Sequence, residues 1–336
     1  MNTDMKKDLA KLAKDLYEDK SLVYSNKSGQ DAMRDIMRDA LGIDEKSTKR
    51  EMYAAYQTNK YKLFQIIDIA VDATTPVILR GKFDSLANFH DITLGDTPRF
   101  TRRNKNLFRV AKIAAGTQDI RRQMTLGGSY TIETDWYGVS VYTELEQFLL
   151  GQIDWQEYIN RISESFAEFI GNQIYKAFSQ SYDALRATRK HKGTLEIDKL
   201  QELARRIKAV SGSQQVSVYG TVTALSKISS LAAQNASNGM LDEMNKFGYL
   251  GTVAGMNLVA LPESIDPETE SFVLSDDDLF IIPSGEKIVD VVVEGETVTN
   301  EIPALDDNGL QMTFRTMRKL GIGVNQASKY AHYKIS

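Results

Sequence analysis

Side chains suited to chemistry are scarce in this chain. It has three histidines, His90, His191 and His332, and no cysteine. The missing thiols exclude disulfides, thiolate metal sites and cysteine nucleophiles. The histidines lie far apart with no HExxH spacing, so each reads as an ordinary core or surface side chain. Asp276-Asp277-Asp278 could hold a divalent cation through its carboxylates, but it reads more simply as a solvated acidic turn. There is no GxxxxGK[ST] loop, and GIGVNQ at Gly321 lacks the third glycine of a dinucleotide loop. A GxSxG nucleophile elbow is missing too. Carboxylates abound on helical stretches, yet none sits with a histidine or lysine as an identifiable acid–base site. The sequence assigns no catalytic residue, no metal site and no cofactor, and it points away from an enzyme.

Charge distribution says more. The net charge of −4 over 336 residues implies no particular partner. Between Arg99 and Arg122, however, stand Arg99, Arg102, Arg103, Lys105, Arg109, Lys112, Arg121 and Arg122 against Asp119 alone. Glu263 to Asp307 is the reverse, with Lys287 as its base. Glu144, Glu146, Asp154, Glu157, Glu164 and Glu168 make a third, acidic stretch. Opposite charges on separate elements of one chain are what self-association uses to set register. Phosphates are the competing partner for such bases, but aromatic residues at regular stacking intervals are missing.

These charges need elements to carry them. Met5, Leu9, Leu12 and Leu16 form one helical stripe, and Met33, Ile36, Met37 and Leu41 a second that stops at Gly42, a left-handed cap. Thr48 and Glu51 form a capping box opening a third helix, which Pro76 is expected to break. The three helices suit lying on another surface, or forming a small bundle of their own. From Asp96 the texture turns β-like, and Gly116-Thr117-Gln118-Asp119 is the turn candidate of a long hairpin. Such a hairpin lacks a core of its own, and isolated hairpins are marginal in water.

After it, Thr143 and Glu146 suggest a cap for a short helix, and Asp154 and Glu157 a cap for a long one. The stretch WQEYINRISESFAEFIGNQIYKAF keeps Trp155, Ile159, Ile162, Phe166, Ile170, Ile174 and Phe178 on one face and Glu157, Glu164 and Glu168 on the other. It predicts a rod of roughly 45 Å. From Leu195 the pattern is α/β: helices at Ile197–Ile207 and Thr221–Ala233, strands at Gln215–Tyr219, Asn257–Leu261, Leu279–Ile282 and Ile288–Val293. Leu310 to Ile335 reads as an antiparallel strand pair turning at Gly321-Ile322-Gly323. The lysine-rich N-terminus has no apolar signal region, and no run approaches the ~18 apolar residues that span a bilayer. A soluble protein made inside the cell is expected.

Taken in order, these elements resemble the major capsid protein of tailed bacteriophages, the HK-97-type fold. The stretches that carry the likeness are DWYGVSVYTELEQFLLGQIDWQEYINRISESFAEFIGNQIYKAF, YLGTVAGMNLVALP and the following LFIIPSG. The likeness covers roughly Phe83 to Ser336, in pattern and order rather than in a short motif. It implies an α+β architecture in three parts. Residues 1–82 would be a helical arm. Residues 83–194 with 308–336 would be a peripheral domain, with an extended loop at about 99–134 and a spine helix at about 155–187. Residues 195–307 would be an axial domain.

The resemblance further implies pentamers and hexamers closing into an icosahedral shell around packaged double-stranded DNA, in a virion assembled in the host cytoplasm. It implies that the loop lies over the next subunit, where the eight bases above would meet acids such as Glu157, Glu164 and Glu168. The short N-terminal arm suggests a separate scaffolding protein, with a portal as further partner. Some members crosslink a loop lysine to a neighbour's asparagine; Lys105 and Lys112 lie on the loop, but no partner asparagine is identifiable, so that chemistry is not carried over. Two other readings stand beside this one: an encapsulin-type nanocompartment, and a monomeric nucleic-acid-binding protein using the basic hairpin.

Overall fold

A computed structural model describes residues 3–18, 29–44, 47–103, 108, 110–112, 122–144, 155–232, 238–263, 265, 269–303, 311–325 and 329–336. Three helices open the chain: α1 (Thr3–Tyr17), α2 (Gly29–Leu41) and α3 (Lys49–Phe83). The stripes predicted for the first two are largely the buried ones, with Leu9, Leu12, Met33, Met37 and Leu41 inside and Met5 at 56% exposure outside. Gly42 ends α2 with φ +74°, a conformation glycine adopts without steric cost. The capping box closes as expected: the Thr48 N–H donates to Glu51 Oε2 at 2.8 Å, and the Glu51 N–H to Thr48 Oγ1 at 3.4 Å. Both helices pack on α3 within one of the two cores, which also holds Phe166, Ile174, Val291 and Phe314, so they form a bundle fused to that part of the body.

Pro76 does not break α3, contrary to the sequence expectation. A proline inside a helix forfeits one backbone hydrogen bond, and here side chains reinforce the turn that precedes it. The Thr74 and Thr75 hydroxyls donate back to the Ala70 and Val71 carbonyls at 2.9 and 2.8 Å. Thr74 Oγ1 also shares a 2.6 Å hydrogen bond with Ser163 on the helix packed against it. Tertiary packing outweighs the local breaker.

That packed helix is the rod, α4 (Trp155–Ala184), 30 residues long and so about 45 Å. It ends slightly before the predicted 187, where Lys190 Nζ reaches the Tyr182 and Asp183 carbonyls at 3.4 and 3.3 Å. Ile159, Ile162, Phe166, Ile170, Ile174 and Phe178 are buried, as the spacing predicted. The short helix expected at Thr143 does not start there. Thr143 and Glu144 are the last residues of a strand, opposite Met312 and Gln311, and the rest of that expectation, with the Asp154 cap, lies outside the described residues.

Two larger sheets complete the body. The first takes β1 (Ala87–Ile92), β4 (Asp135–Glu144), β10 (Val289–Pro303) and β11 (Gln311–Val324) in the order β1-β10-β11-β4, with only β1 parallel to its neighbour. It lies against α3 and α4. The second comprises β5 (Lys190–Gly193), β6 (Val216–Gly220), β7 (Thr252–Val253), β8 (Met256–Ala260), β9 (Asp278–Pro283) and β12 (Ala331–Ile335), ordered β5-β12-β9-β6-β8-β7. Helices α5 (Ile197–Ser211) and α6 (Val222–Ala232) pack on it, with α7 (Asn238–Phe247) following. Strands β6 and β9 are buried along their whole length, which explains their near-continuous apolar runs.

The C-terminal expectation needs correction. β11 runs straight through Gly321 and Gly323, and β12 joins the other sheet. The glycines serve close approach rather than a turn. A Cβ on Gly321 would lie 2.5 Å from the Glu133 carbonyl oxygen, and one on Gly323 would lie 2.9 Å from Ile132. Gly321→Ala should therefore lower stability by about 1–3 kcal/mol. Gly81→Ala, in α3 with nothing within 4 Å of its Cβ, should raise it by about 0.5–1 kcal/mol. Urea midpoints of the two variants check both signs.

Three ion pairs fasten α3 and its C-terminal cap to the first sheet and the turn leading into it. Lys60 meets Glu301 at 2.6 Å, Asp72 meets Arg318 at 3.2 Å, and Asp84 meets Lys287 at 2.7 Å. The middle one is buried. Thr297 donates its N–H and hydroxyl to the Asp72 carboxylate, and Arg318 is 3% exposed. One turn away, burial pushes the Asp68 carboxyl up to about 7.

Candidate inter-subunit surface

The basic segment forms a two-stranded hairpin of its own, β2 (Arg99–Arg103) with β3 (Leu126–Thr131), pairing Arg99 with Thr131 and Phe100 with Tyr130. Arg99 is exposed on β2, Arg102 and Arg103 lie on the same strand, and Lys112 and Arg122 are exposed beyond it. Lys105, Arg109, Arg121 and the turn expected at 116–119 lie outside the described residues. Among the described residues no ion pair joins Arg99 or Arg122 to an acid of the same chain. The segment also carries apolar side chains that the sequence pattern alone did not single out. Val110 is 94% exposed, Met124 78% and Phe108 55%. Their signal was present in NLFRV, masked by the density of charge around it.

While its far end has no described support, the root of the loop is fastened at two points, both on β10. The first is Asp290, which is buried. Tyr130 donates its hydroxyl to Oδ2 at 2.5 Å, Asn88 donates to Oδ1 at 3.0 Å, and His90 Nε2 lies 3.1 Å from Oδ1. The Phe100 ring fills the corner, 4.9 Å from His90 and 5.5 Å from Tyr130. His90 is thus an anchor, not a ligand.

The second point is Glu294, which collects both limbs of the loop. The Gly95 N–H on the incoming limb donates to Oε1 at 2.8 Å, Lys319 Nζ donates to the same oxygen at 2.7 Å, and the Thr134 hydroxyl on the outgoing limb donates to Oε2. Lys319 foremost, then Thr134 and Gly95, hold this carboxyl down at about 2. A depressed carboxylate contributes stability that is complete above its unfolded value, here 4.5, and is lost as pH falls through about 2. Amide exchange at Gly95, corrected for its intrinsic pH dependence, should therefore accelerate as pH drops from 4.5 to 2. In Glu294→Gln that pH response should vanish.

The acidic partner candidates sit on α4. Glu157 and Glu164 are exposed and Glu168 is half-buried. Glu157 pairs loosely with Arg161 at 3.6 Å, and the Glu164 charge adds to burial in pushing the Tyr17 phenol up. Beside Glu157, a groove of about 310 Å³ runs between β4 and α4, lined by Val139, Val141, Tyr142, Tyr158, Ile162 and Phe314. β4 is the outer strand of its sheet, and Trp136 and Tyr142 stand exposed on it.

The remaining chemistry candidates resolve as structure. His332 is fully buried, with Nε2 3.0 Å from Asp278 Oδ1, and Ser179 donates to the other oxygen at 3.2 Å. Burial pushes the Asp278 carboxyl up, but His332, Lys334 and Ser179 outweigh it and leave it below the ordinary range. The acidic triplet is a solvated turn for its first two members: Asp276 and Asp277 are exposed in a turn, Asp276 accepting from Thr221 at 2.5 Å and Asp277 pairing with Lys227 at 3.3 Å, whereas Asp278 is in the core. The His191 ring packs in a tilted arrangement 4.9 Å from that of Tyr333. Among the described residues no three metal-ligating side chains converge, and no helix is long and apolar enough to cross a membrane.

Comparison with known proteins gives this geometry a family. Among curated proteins none matches the sequence. Among solved structures, the fold is similar to the capsid of the cyanophage P-SCSP1u, at a TM-score of 0.52 and 13% identity, covering 76% of this chain and 88% of that one. It is similar also to a chain of the satellite phage P4 procapsid with its size determination protein, at 0.51 and 10%, covering 77% and 89%. At such identities the likeness is one of fold, the HK-97-type capsid fold. A family model described as "SPbeta prophage-derived putative capsid protein YonB" matches residues 8–330. With nearly its whole length so matched, the chain belongs to the YonB family of phage capsid proteins.

Proposed function

We propose that this chain is the major shell subunit of a tailed phage, arranged in rings of five and six that close into an icosahedral container for double-stranded DNA. Residues 195–307 form the axial unit at the centre of each ring. Residues 83–194 with 308–336 form the peripheral unit, and residues 1–82 the arm beneath it. The loop at about 99–134 lies across the next subunit. There Arg99, Arg102, Arg103, Lys105, Arg109, Lys112, Arg121 and Arg122 face carboxylates such as Glu157, Glu164 and Glu168, and Phe108, Val110 and Met124 seat in the groove between β4 and α4. A separate scaffolding protein directs closure, and a portal occupies one vertex.

The observation that carries this reading is the contrast along the loop. Its root is held by two buried or nearly buried carboxylates, while Val110 and Met124 stand almost wholly in water. A chain gains nothing from projecting apolar side chains on a firmly aimed hairpin unless another surface covers them. Electron microscopy of the expressed full chain, alone and with its co-expressed neighbours, tests it. Large closed shells that fill with DNA are the expected result. Small uniform shells packed with protein would favour a nanocompartment instead, and light scattering that finds only monomers would overturn assembly altogether.

A further inference from the structure

An outer strand of a sheet presents unpaired N–H and C=O groups to any strand that can reach it. Among the described residues, three of the four outer edges of the two larger sheets are short or guarded. β5 is four residues long and carries Lys190 and Lys192, and β7 has two residues. β1 has the root of the loop against it, with the Phe100 ring 4.9 Å from that of His90. β4 is the exception. It is ten residues long, and between Asp135 and Glu144 it has no proline, lysine or arginine to discourage pairing. Among the described residues no strand joins its outer side.

The side chains of β4 are as incomplete as its edge. Tyr137, Val139, Val141 and Thr143, on the side of α4, are only half-buried, and the groove of about 310 Å³ lies beside them. One more strand alongside β4 would roof that groove. The loop holds a stretch with the matching pattern. In FRVAK, Phe108, Val110 and Lys112 fall on one face of an extended chain, and all three are exposed. Charge then selects a direction. Tyr137 packs 4.7 Å from Phe169 while Glu157 lines the groove near Thr143, so β4 and α4 run oppositely and Glu157 lies toward Glu144. An incoming strand parallel to β4 sets Val110 beside Val141 and Lys112 beside Thr143, next to those two carboxylates. The antiparallel order would carry Lys112 back to Val139, away from both.

We propose that the loop of one copy adds a strand to β4 of the next, in parallel, through Phe108, Val110 and Lys112, so that main-chain hydrogen bonds join the two chains. The inference rests on the shell reading above and gives its loop contact a backbone ladder. The chain has no cysteine, so introduced thiols report without background. Directly opposed Cβ atoms on neighbouring strands stand about 4.5–5.5 Å apart, within reach of a short bifunctional thiol reagent. In the assembled full-length protein, Val110→Cys/Val141→Cys and Ala111→Cys/Tyr142→Cys should link successive copies, one pair on each face of the strand. Ala111→Cys/Val141→Cys, with its thiols on opposite faces, should not. Linkage confined to the first pair would leave a side-chain seat without a ladder, and linkage of all three pairs or of none would show no fixed strand; each overturns the proposal. Linkage of Tyr142→Cys alone would give the edge to β4 of a second copy and overturn it too. Phe108→Cys/Thr143→Cys linking in preference to Phe108→Cys/Val139→Cys would overturn the parallel order. The unmodified protein supplies an independent measure. Every second amide between Trp136 and Thr143 should lose most of its hydrogen exchange on assembly. Unchanged exchange in closed particles sinks the ladder and leaves the shell reading standing, whereas microscopy that finds no particles sinks the shell reading and this inference with it.

Discussion

Arg102→Glu/Arg103→Glu leaves a folded monomer that no longer closes into particles: that is the largest effect we expect on assembly. Both residues lie on β2, and the anchors of the loop at Asp290 and Glu294 are untouched by the change. The thermal transition of the isolated chain should therefore stay within a few degrees of the parent. Across the interface the balance is different. An exposed ion pair contributes only about 0.2–1 kcal/mol, but reversal turns each attraction into a repulsion of similar size, and every subunit of a closed shell repeats it. Symmetry and multivalency amplify small pairwise changes into presence or absence of the assembly. Sedimentation and electron microscopy provide the readout. Introducing Glu157→Arg and Glu164→Arg into the same chain should restore part of the yield if those carboxylates are the partners. Undiminished closed particles from the reversed loop alone would refute the contact.

The largest effect on stability is expected at Arg318. Its guanidinium is buried against Asp72, and truncation to alanine strands a carboxylate that burial already pushes up. Breaking a buried pair from one side costs about 3–5 kcal/mol, a large share of the roughly 5–15 kcal/mol that holds a typical domain. Asp72→Leu with Arg318→Met should recover most of the loss, because removing both charges removes the orphan. Asp68, one turn from Asp72, adds a pH signature. Its folded value is about 7 against 3.8 when free. A raised carboxylate keeps its proton in the fold, so its contribution is complete below 3.8 and is lost as pH rises through about 7. Stability should fall across that window with a slope of up to ~1.4 kcal/mol per pH unit. Asp68→Asn should flatten it, as urea midpoints at successive pH values would reveal. Glu294 acts in the opposite sense at lower pH, so the two groups are separable by window as well as by mutation.

Much of the scaffold was legible because local and tertiary preferences agree there. The spine's aliphatic and aromatic stripe, the Thr48–Glu51 cap, the Gly42 stop and the buried strands β6 and β9 each obey a periodicity that packing then uses. What escaped notice was governed by contacts distant in sequence. β1, ANFHDI, has too few apolar residues to read as a strand, and it exists because β10 lies alongside in parallel. The second half of β10, with Gly295, Glu296, Thr297, Thr299 and Asn300, reads as a polar loop, yet Thr297 and Thr299 are buried beneath α3. Gly321 looked like a turn because glycine marks turns more often than it marks a crossing backbone. As for the surface, its bases were plain in the sequence; its carboxylate anchors at Asp290 and Glu294 were not, since an acid within a strand carries no local mark of what it will hold.

β10 also contains a joint. Its register against β11 shifts between Glu294 and Val298, so that Gly295, Glu296 and Thr297 together face Arg318, with Gly295 at φ +74°. Asp290 and Glu294, which aim the loop, lie before or at this irregularity, while Thr297 and Glu301, which grip α3, lie within or after it. The strand is thus two regular segments meeting at a knuckle. The Asp72 carboxylate on α3 grips both sides of that knuckle, Thr297 on β10 and Arg318 opposite it on β11, so any change of tilt between neighbouring bricks of a curved wall would be felt at this one clamp.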